Sequence, residues 1–97
     1  MSNQVAQSLM SQIGRPTFFM LGAQSLVDLG NGLQFSIKGS PRQVTKLVIT
    51  LDPSDTYTVQ AWKIRGRVCK MLAEQGNVYA DSLHSTIETM TALRTSL

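Results

Sequence analysis

A basic stretch in the second half of the chain is the strongest candidate for chemistry. In WKIRGRVCK, residues 62–70, apolar and basic residues alternate almost without a break. In a β-strand, Lys63, Arg65 and Arg67 would share one face at a spacing of about 6.6–6.8 Å, which resembles the phosphate spacing of an extended nucleic-acid strand. The pattern therefore indicates either a nucleic-acid-binding strand or the solvated side of an ordinary sheet.

Positive charge is concentrated around this stretch. Residues 38–70 contain seven Lys and Arg against two Asp, an excess larger than the net charge of +3 for the whole chain. On an open sheet face such cations would contact nucleic-acid phosphates, aided by Ser, Thr and Gln. The predicted phosphate contacts are Lys38, Lys46, Lys63, Arg65 and Arg67. Two other interpretations remain open: a solvated face whose edge cations discourage strand addition, and a surface for an acidic protein.

Aromatic residues are the weaker part of this prediction. Sheet faces that bind nucleic acid usually stack bases on exposed aromatic rings. Most aromatic residues of this chain coincide with the apolar phase of their elements, which predicts burial. Tyr57 is the best candidate for exposure, and we expect it to be the stacking residue.

A possible metal site lies in the C-terminal region. Asp81, His84 and Glu88 are spaced three and four residues apart, so on a helix they share a face. Carboxylate and imidazole groups can ligate a metal, but zinc sites usually have three or four good ligands and this chain has no second His. The spacing favours a solvated polar face with a His84–Glu88 contact, and we predict no metal and no cofactor.

The chain has one Cys and one His, Cys69 and His84. Arg67 and Lys70 would lower the pKa of the Cys69 thiol if they lay beside it. A catalytic Cys–His pair also requires a hydrogen-bonding geometry, for which the sequence gives no sign. We therefore expect a protein that acts by binding and is not an enzyme.

The elements that must position these residues are two predicted helices with several strands between them. Helical periodicity predicts one helix near each terminus, over residues 2–14 and 78–93. Between them, a short apolar run bounded by Pro and Gly predicts a buried strand at 18–21. Alternating patterns predict further strands at 24–29, 33–38, 44–51 and from 56 onward, with tight turns at 30–32 and 52–55.

The hydrophobic phase changes within the fourth alternating segment. Tyr57, Val59 and Ala61 share one face, whereas the next apolar residues, Trp62 and Ile64, fall on the other. A one-residue slip exchanges the faces of a strand, so a β-bulge near 61–62 is the simplest explanation. If the bulge turns Trp62 and Ile64 toward the helices, the basic residues face solvent, but the position of the bulge decides this and the sequence leaves both faces open. Gly66 would bend the strand or begin a hairpin.

These elements predict a single α+β domain over residues 1–97. Its antiparallel β-meander of four to five strands should carry the N-terminal and C-terminal helices on one face. A lone Cys favours a reducing compartment. The sequence contains no apolar run of about 18 residues, so we expect no membrane association and a cytoplasmic location in a bacterial host.

Three stretches resemble a family of small proteins encoded by bacteriophages and prophages: GAQSLVDLGNGLQFSIKGS, LVITLDPSDTYTVQAWKIRG and NVYADSLHSTIETMTALRTSL. The shared features are a Gly-Ala segment, L-x-F-x-I and D-x-Y-x-V strands, and a V-Y-A-D-x-L ending followed by T-x-L-x-x-S-L. The likeness begins near Phe18 and covers most of the chain, although Ala92 stands where the family pattern has Gly. The resemblance implies a phage context and no particular mechanism.

Two function classes follow from the sequence. The first is a small phage-type accessory protein that binds DNA or RNA through a basic open sheet face. The second is a protein-interaction module with no nucleic-acid role. Such a module would either form a homodimer through a sheet edge or dock on a host or phage protein.

Overall fold

The computed structural model describes residues 4–38 and 42–92. The first element is helix α1, Gln4–Ile13. Leu9 and Ile13, four residues apart on one helical face, are buried, and Val5 is half-buried on the same face. The predicted N-terminal helix is therefore confirmed, with its expected first residues lying outside the described part of the chain.

The strand predicted at 18–21 is wrong, because this segment belongs to a second helix, α2, Arg15–Leu21. Pro is tolerated in the first turn of a helix, where its missing N–H has no intrahelical partner. Gly22 ends α2 in the left-handed conformation, with φ of 64°. The helix buries Leu21 and places Phe18 edge-on against Phe35, with ring centroids 5.2 Å apart.

Five strands form one antiparallel sheet in the order β1-β2-β3-β4-β5. They are β1 (Gln24–Asp28), β2 (Gly32–Ser36), β3 (Lys46–Leu51), β4 (Tyr57–Arg65) and β5 (Val68–Val78). A 3₁₀ turn, Ala80–Ser82, then leads into helix α3, Leu83–Thr91. The predicted α+β meander is confirmed, although β5 extends to Val78 and α3 begins at Leu83, whereas the sequence predicted a helix from residue 78.

One face of the sheet packs against the helices and contains the hydrophobic core. We call it the helix-side face, and its buried strand residues include Leu33, Phe35, Leu47, Ile49, Tyr57, Val59 and Ala61. Helix residues Leu9, Ile13, Leu83 and Ile87 complete the same core cluster. The opposite face, the open face, presents half-exposed residues such as Gln34, Val48 and Gln60.

Two turns at one end of the sheet carry acidic residues. Asp28 Oδ1 accepts a hydrogen bond from the Gly30 N–H at 2.7 Å in the β1–β2 turn. Asp52 Oδ2 accepts one from the Thr58 hydroxyl at 2.7 Å beside the β3–β4 turn. Both tight turns are thus confirmed. Together with Asp55 in the second turn, Asp28 and Asp52 define what we call the acidic end.

Both edge strands are irregular. Between β4 and β5, Ala61 pairs with Ala73 and Trp62 pairs with Met71, so Leu72 is an extra residue on β5. The predicted bulge near 61–62 is therefore confirmed, but its extra residue lies on β5 and not within β4. A second register shift in β5 falls between its pairings with Tyr57 and Val59, and β1 shifts register between its residues 24 and 27.

Helix α3 ends in a strained conformation that suggests a stabilising substitution. Ala92 adopts φ of 59° and donates its N–H to the Glu88 carbonyl at 2.8 Å. Glycine occupies this left-handed position without a Cβ clash. Ala92→Gly should raise the free energy of unfolding by roughly 0.5–1 kcal/mol, measured by urea denaturation. Ala73→Gly, in the extended conformation of β5, is the control and should lower it; equal losses in both variants would contradict the interpretation.

Candidate nucleic-acid interface

The register between β3 and β4 decides where the basic residues point. Leu47 pairs with Ala61 and Lys46 with Trp62, and no interruption falls between Tyr57 and Trp62 on this side of β4. Alternation therefore continues through the strand. Trp62 lies on the open face beside Lys46, and the residue after it returns to the helix-side face.

This arrangement is the reverse of the one that a basic open face requires. Trp62 and Ile64 lie on the open face, whereas Lys63 and Arg65 lie on the helix-side face. The predicted basic open face is wrong for Lys63 and Arg65 because the extra residue of the bulge lies on β5, so β4 itself does not change phase. Beyond Ala61, the apolar residues lie on the open face and the cations on the helix-side face. This is because the helix-side face is no longer fully buried there.

The end of β4 and the start of β5 form a hairpin with a two-residue turn. Lys63 pairs with Lys70, and Arg65 pairs with Val68. Gly66 has φ of 60° at the first central position of the turn, where type II′ turns favour glycine. Arg67 occupies the second position, so the hairpin that the sequence suggested at Gly66 places an arginine at its tip.

The two faces of the β4–β5 hairpin differ in chemistry. Paired residues of an antiparallel ladder lie on the same face. The helix-side face of the hairpin therefore carries Lys63, Arg65, Val68 and Lys70. Its open-face side carries Trp62, Ile64, Cys69 and Met71. Residues 61–73 contain no acidic residue, so this positive charge is not neutralised within the hairpin.

Thr45 connects three neighbouring chain segments at the base of the hairpin. Its N–H donates to the Trp62 carbonyl at 2.8 Å, and its carbonyl accepts from the Ile37 N–H at 3.0 Å. Its hydroxyl oxygen accepts from the Ile64 N–H at 2.8 Å. Thr45 thus extends the sheet beyond the formal start of β3 and holds the position of β4 relative to the end of β2.

A shallow groove of about 480 Å³ lies over this extension. Its lining residues are Ile37, Lys38, Gln43, Val44, Thr45, Lys63, Ile64 and Arg65. Lys38 contributes from the chain that follows β2, whereas Lys63 and Arg65 contribute from β4. The Lys63 ammonium donates a hydrogen bond to the Gln43 side-chain carbonyl, which orients it without neutralising its charge.

The structure brings the predicted basic residues to one end of the sheet, although not to one face. Lys38, Lys63 and Arg65 line the groove, Arg67 lies in the adjacent turn, and Lys46 lies on the open face. With Arg42 and Lys70 they form what we call the basic end. It lies at the opposite end of β3 and β4 from the acidic end, since Lys46 pairs with Trp62 and Leu51 with Tyr57.

The predicted stacking residue is placed elsewhere. Tyr57 is only 6% exposed, faces the core and pairs with Leu51 and Val78 near the acidic end. Its expected exposure is therefore wrong. The cause is the same register, which keeps Tyr57 in phase with the buried residues of β3.

Two aromatic residues that the sequence predicted to be buried are accessible. Phe19, in the last turn of α2, is 85% exposed. Trp62 is half-buried on the open face, and its indole N–H donates to Gln60 Oε1 at 3.1 Å. A helical interpretation of 15–21 would have found Phe19, because Phe18 and Leu21 are three residues apart and define the inward side.

Helix α2 ends beside the groove. The Leu21 carbonyl accepts a hydrogen bond from the Lys38 N–H at 3.1 Å. A Cβ built on Gly22 would lie 3.4 Å from the Lys38 Cβ. The Gly22 N–H in turn donates to the Phe19 carbonyl at 3.1 Å. The last turn of α2, which contains Phe19, therefore lies beside Lys38.

The candidates for metal binding and nucleophilic catalysis, His84 and Cys69, lie in different parts of the fold. His84 Nε2 lies 2.9 Å from the Ile13 carbonyl, and since a carbonyl only accepts, this nitrogen carries the proton and joins α3 to α1. Cys69 is exposed in the hairpin. Within residues 4–38 and 42–92, no group of three His, Cys, Asp or Glu side chains is placed to hold a metal ion.

None of the helices in the described part of the chain is both long and apolar enough to cross a membrane. Comparison with known proteins found no matching family model, no matching curated protein and no matching solved structure.

Loss of the Thr45 hydroxyl should loosen the groove. In Thr45→Val, the Ile64 N–H loses its acceptor, and we expect the free energy of unfolding to fall by about 1–2 kcal/mol. Amide hydrogen exchange at Ile64 should accelerate. Thr50→Val makes the same change on the open face of β3 and should alter stability by less than about 0.5 kcal/mol. Unchanged exchange at Ile64 would show that Thr45 does not hold the hairpin.

Proposed function

We propose that this protein is a small, non-enzymatic accessory protein that binds nucleic acid through its basic end. The observation that carries the proposal is the convergence of seven cationic residues on one end of the sheet. They are Lys38, Arg42, Lys46, Lys63, Arg65, Arg67 and Lys70.

The separation of charge along the sheet supports this function. Asp28, Asp52 and Asp55 lie at the far end. A molecule with a cationic and an anionic end is attracted to a polyanion and is also oriented by it. Nucleic-acid phosphates are the commonest biological polyanion that such a surface meets, and they supply the sequence-independent part of binding.

The like-charge pair in the hairpin also favours an anionic ligand. Lys63 and Lys70 lie directly opposite each other, an arrangement that destabilises a strand pair. With no acidic residue in 61–73, the compensating charge must come from elsewhere in the protein or from a ligand. A phosphate between the two ammonium groups would replace their repulsion with charge-assisted hydrogen bonds.

The groove geometry suggests how phosphates would be held. Lys38 lies on one side of the groove, and Lys63 and Arg65 lie on the other. A sugar-phosphate backbone between them could contact cations on both sides. The resemblance to phage and prophage proteins supports an accessory role in a phage context.

A protein partner is the second candidate, and apolar exposure favours it. Val68 is 65% exposed and Met71 and Leu72 are also exposed, which gives the hairpin an apolar surface beside its cations. Pairing of two copies through a sheet edge fits less well, because both edge strands shift register and bulges are a common protection of edges against strand addition.

Removing the groove cations should weaken binding and its salt dependence. The double variant Lys63→Gln, Arg65→Gln loses two phosphate contacts, so the slope of log K against log salt should become less steep by about 1.4–1.8. Fluorescence titrations of labelled DNA and RNA at several salt concentrations measure this. A control, Asn31→Asp with Ser85→Glu, makes the same net charge change away from the groove and should retain the slope. Absence of binding to any nucleic acid at low salt would refute the proposal.

The exposed apolar residues of β5 separate the two candidates. Val68→Ser with Leu72→Ser should leave nucleic-acid affinity within about twofold, because these residues carry no charge and surface substitutions of this kind have small effects. If instead a partner captured from lysate is lost in this variant and retained by Lys63→Gln, Arg65→Gln, the protein-interaction function is favoured.

A further inference from the structure

We infer that the basic end binds a single-stranded nucleic acid and that the exposed ring of Phe19 stacks on one of its bases. This inference rests on the proposed function and adds the strandedness of the ligand and an additional binding residue. It depends on the spacing of the segments that carry the groove cations, the exposure of Phe19 and the contact of α2 with Lys38.

The cations of the groove lie on neighbouring chain segments. The segments containing Ile37, Thr45 and Trp62 are joined by consecutive backbone hydrogen bonds. Two strand spacings separate the outer segments, which is roughly 9.5 Å between backbones. One extended strand lying along the middle segment could therefore reach Lys38 on one side and Lys63 and Arg65 on the other.

The exposure of Phe19 has no explanation within the fold. Phe is among the residues most often buried, yet 85% of Phe19 is accessible, while its neighbour Phe18 packs on Phe35. Single-strand-binding proteins combine exposed aromatic rings with clustered cations, since every base offers a face for stacking whatever the sequence, and a base must be free of a duplex to stack on such a ring.

A continuous path connects Phe19 with the cations. It begins in the last turn of α2, where the Leu21 carbonyl accepts the hydrogen bond from the Lys38 N–H at 3.1 Å. It then crosses the groove to Lys63 and Arg65 and reaches Arg67 in the turn. A strand of a few nucleotides could follow this path with its phosphates on the cations and one base on Phe19.

The remaining accessible aromatic residues are less well placed. Tyr79 is 64% exposed but follows Val78, which pairs with Tyr57 near the acidic end. Trp62 lies on the open face, away from the groove cations of β4, with its indole N–H already bonded to Gln60. Tyr79 is therefore a matched control for Phe19, and Trp62 is a natural fluorescent reporter near the site.

The test compares labelled oligothymidine of about 15 nucleotides, within the range that such sites cover, with a mixed-sequence duplex of the same length. At low salt, the single strand should bind more tightly than the duplex. Phe19→Ala should weaken single-strand binding by about 5- to 100-fold, and Phe19→Leu should weaken it similarly because a branched aliphatic chain cannot stack. Phe19→Tyr should restore affinity, and Tyr79→Ala should not change it.

The outcomes distinguish this inference from the function on which it rests. No binding of either oligonucleotide would overturn both. Duplex binding at least as tight as single-strand binding would overturn only the inference, as would equal affinities of Phe19→Ala and Tyr79→Ala. Thermal unfolding of each variant monitors the fold, and since Phe19 is exposed, midpoints should stay near that of the parent protein.

Discussion

The register between β3 and β4 is the constraint on which the rest of this structure depends. Pairing of Leu47 with Ala61 and Ile49 with Val59 places four buried side chains on the helix-side face. A shift of one residue in either strand would expose its two core side chains and bury its polar residues. Because this register is fixed by the core, the positions of Lys63 and Arg65 follow from it by alternation, although neither residue contributes to the core.

The extent of the helices determines which of the alternating residues of β4 are buried. Where the helices cover the sheet, the helix-side face is apolar. Past Ala61 the same face is accessible, and Lys63 and Arg65 occupy it while Trp62 and Ile64 turn to the open face. The exchange of polarity therefore marks the position on β4 beyond which the helices no longer cover the sheet. The β5 bulge at Leu72 accommodates the twist of the hairpin without altering the phase of β4.

The general fold could be predicted from the sequence, and the faces of the hairpin could not. Alternation and turn residues specify the strands from β1 to β4 because these signals are local. The interpretation of 18–21 failed because an apolar run bounded by Pro16 and Gly22 satisfies the boundary signals of a short strand and of a helix alike. The faces of Lys63 and Arg65 could not be predicted because the choice of the strand that carries the bulge depends on how two strands pair. The sequence of one strand does not specify that pairing.

Local stability and function are linked at the basic end. A hairpin with Lys63 opposite Lys70 and without acidic partners in 61–73 is less stable than its backbone pairing alone would make it. The hydrogen bonds of Thr45 and the type II′ turn at Gly66 offset that repulsion and keep the cations in fixed positions. The repulsion between Lys63 and Lys70 is present in the ligand-free protein. In the function proposed above, an anion in the groove would be stabilised by the loss of this repulsion as well as by its direct contacts. The charges that weaken the free hairpin would therefore strengthen its complex with a polyanion.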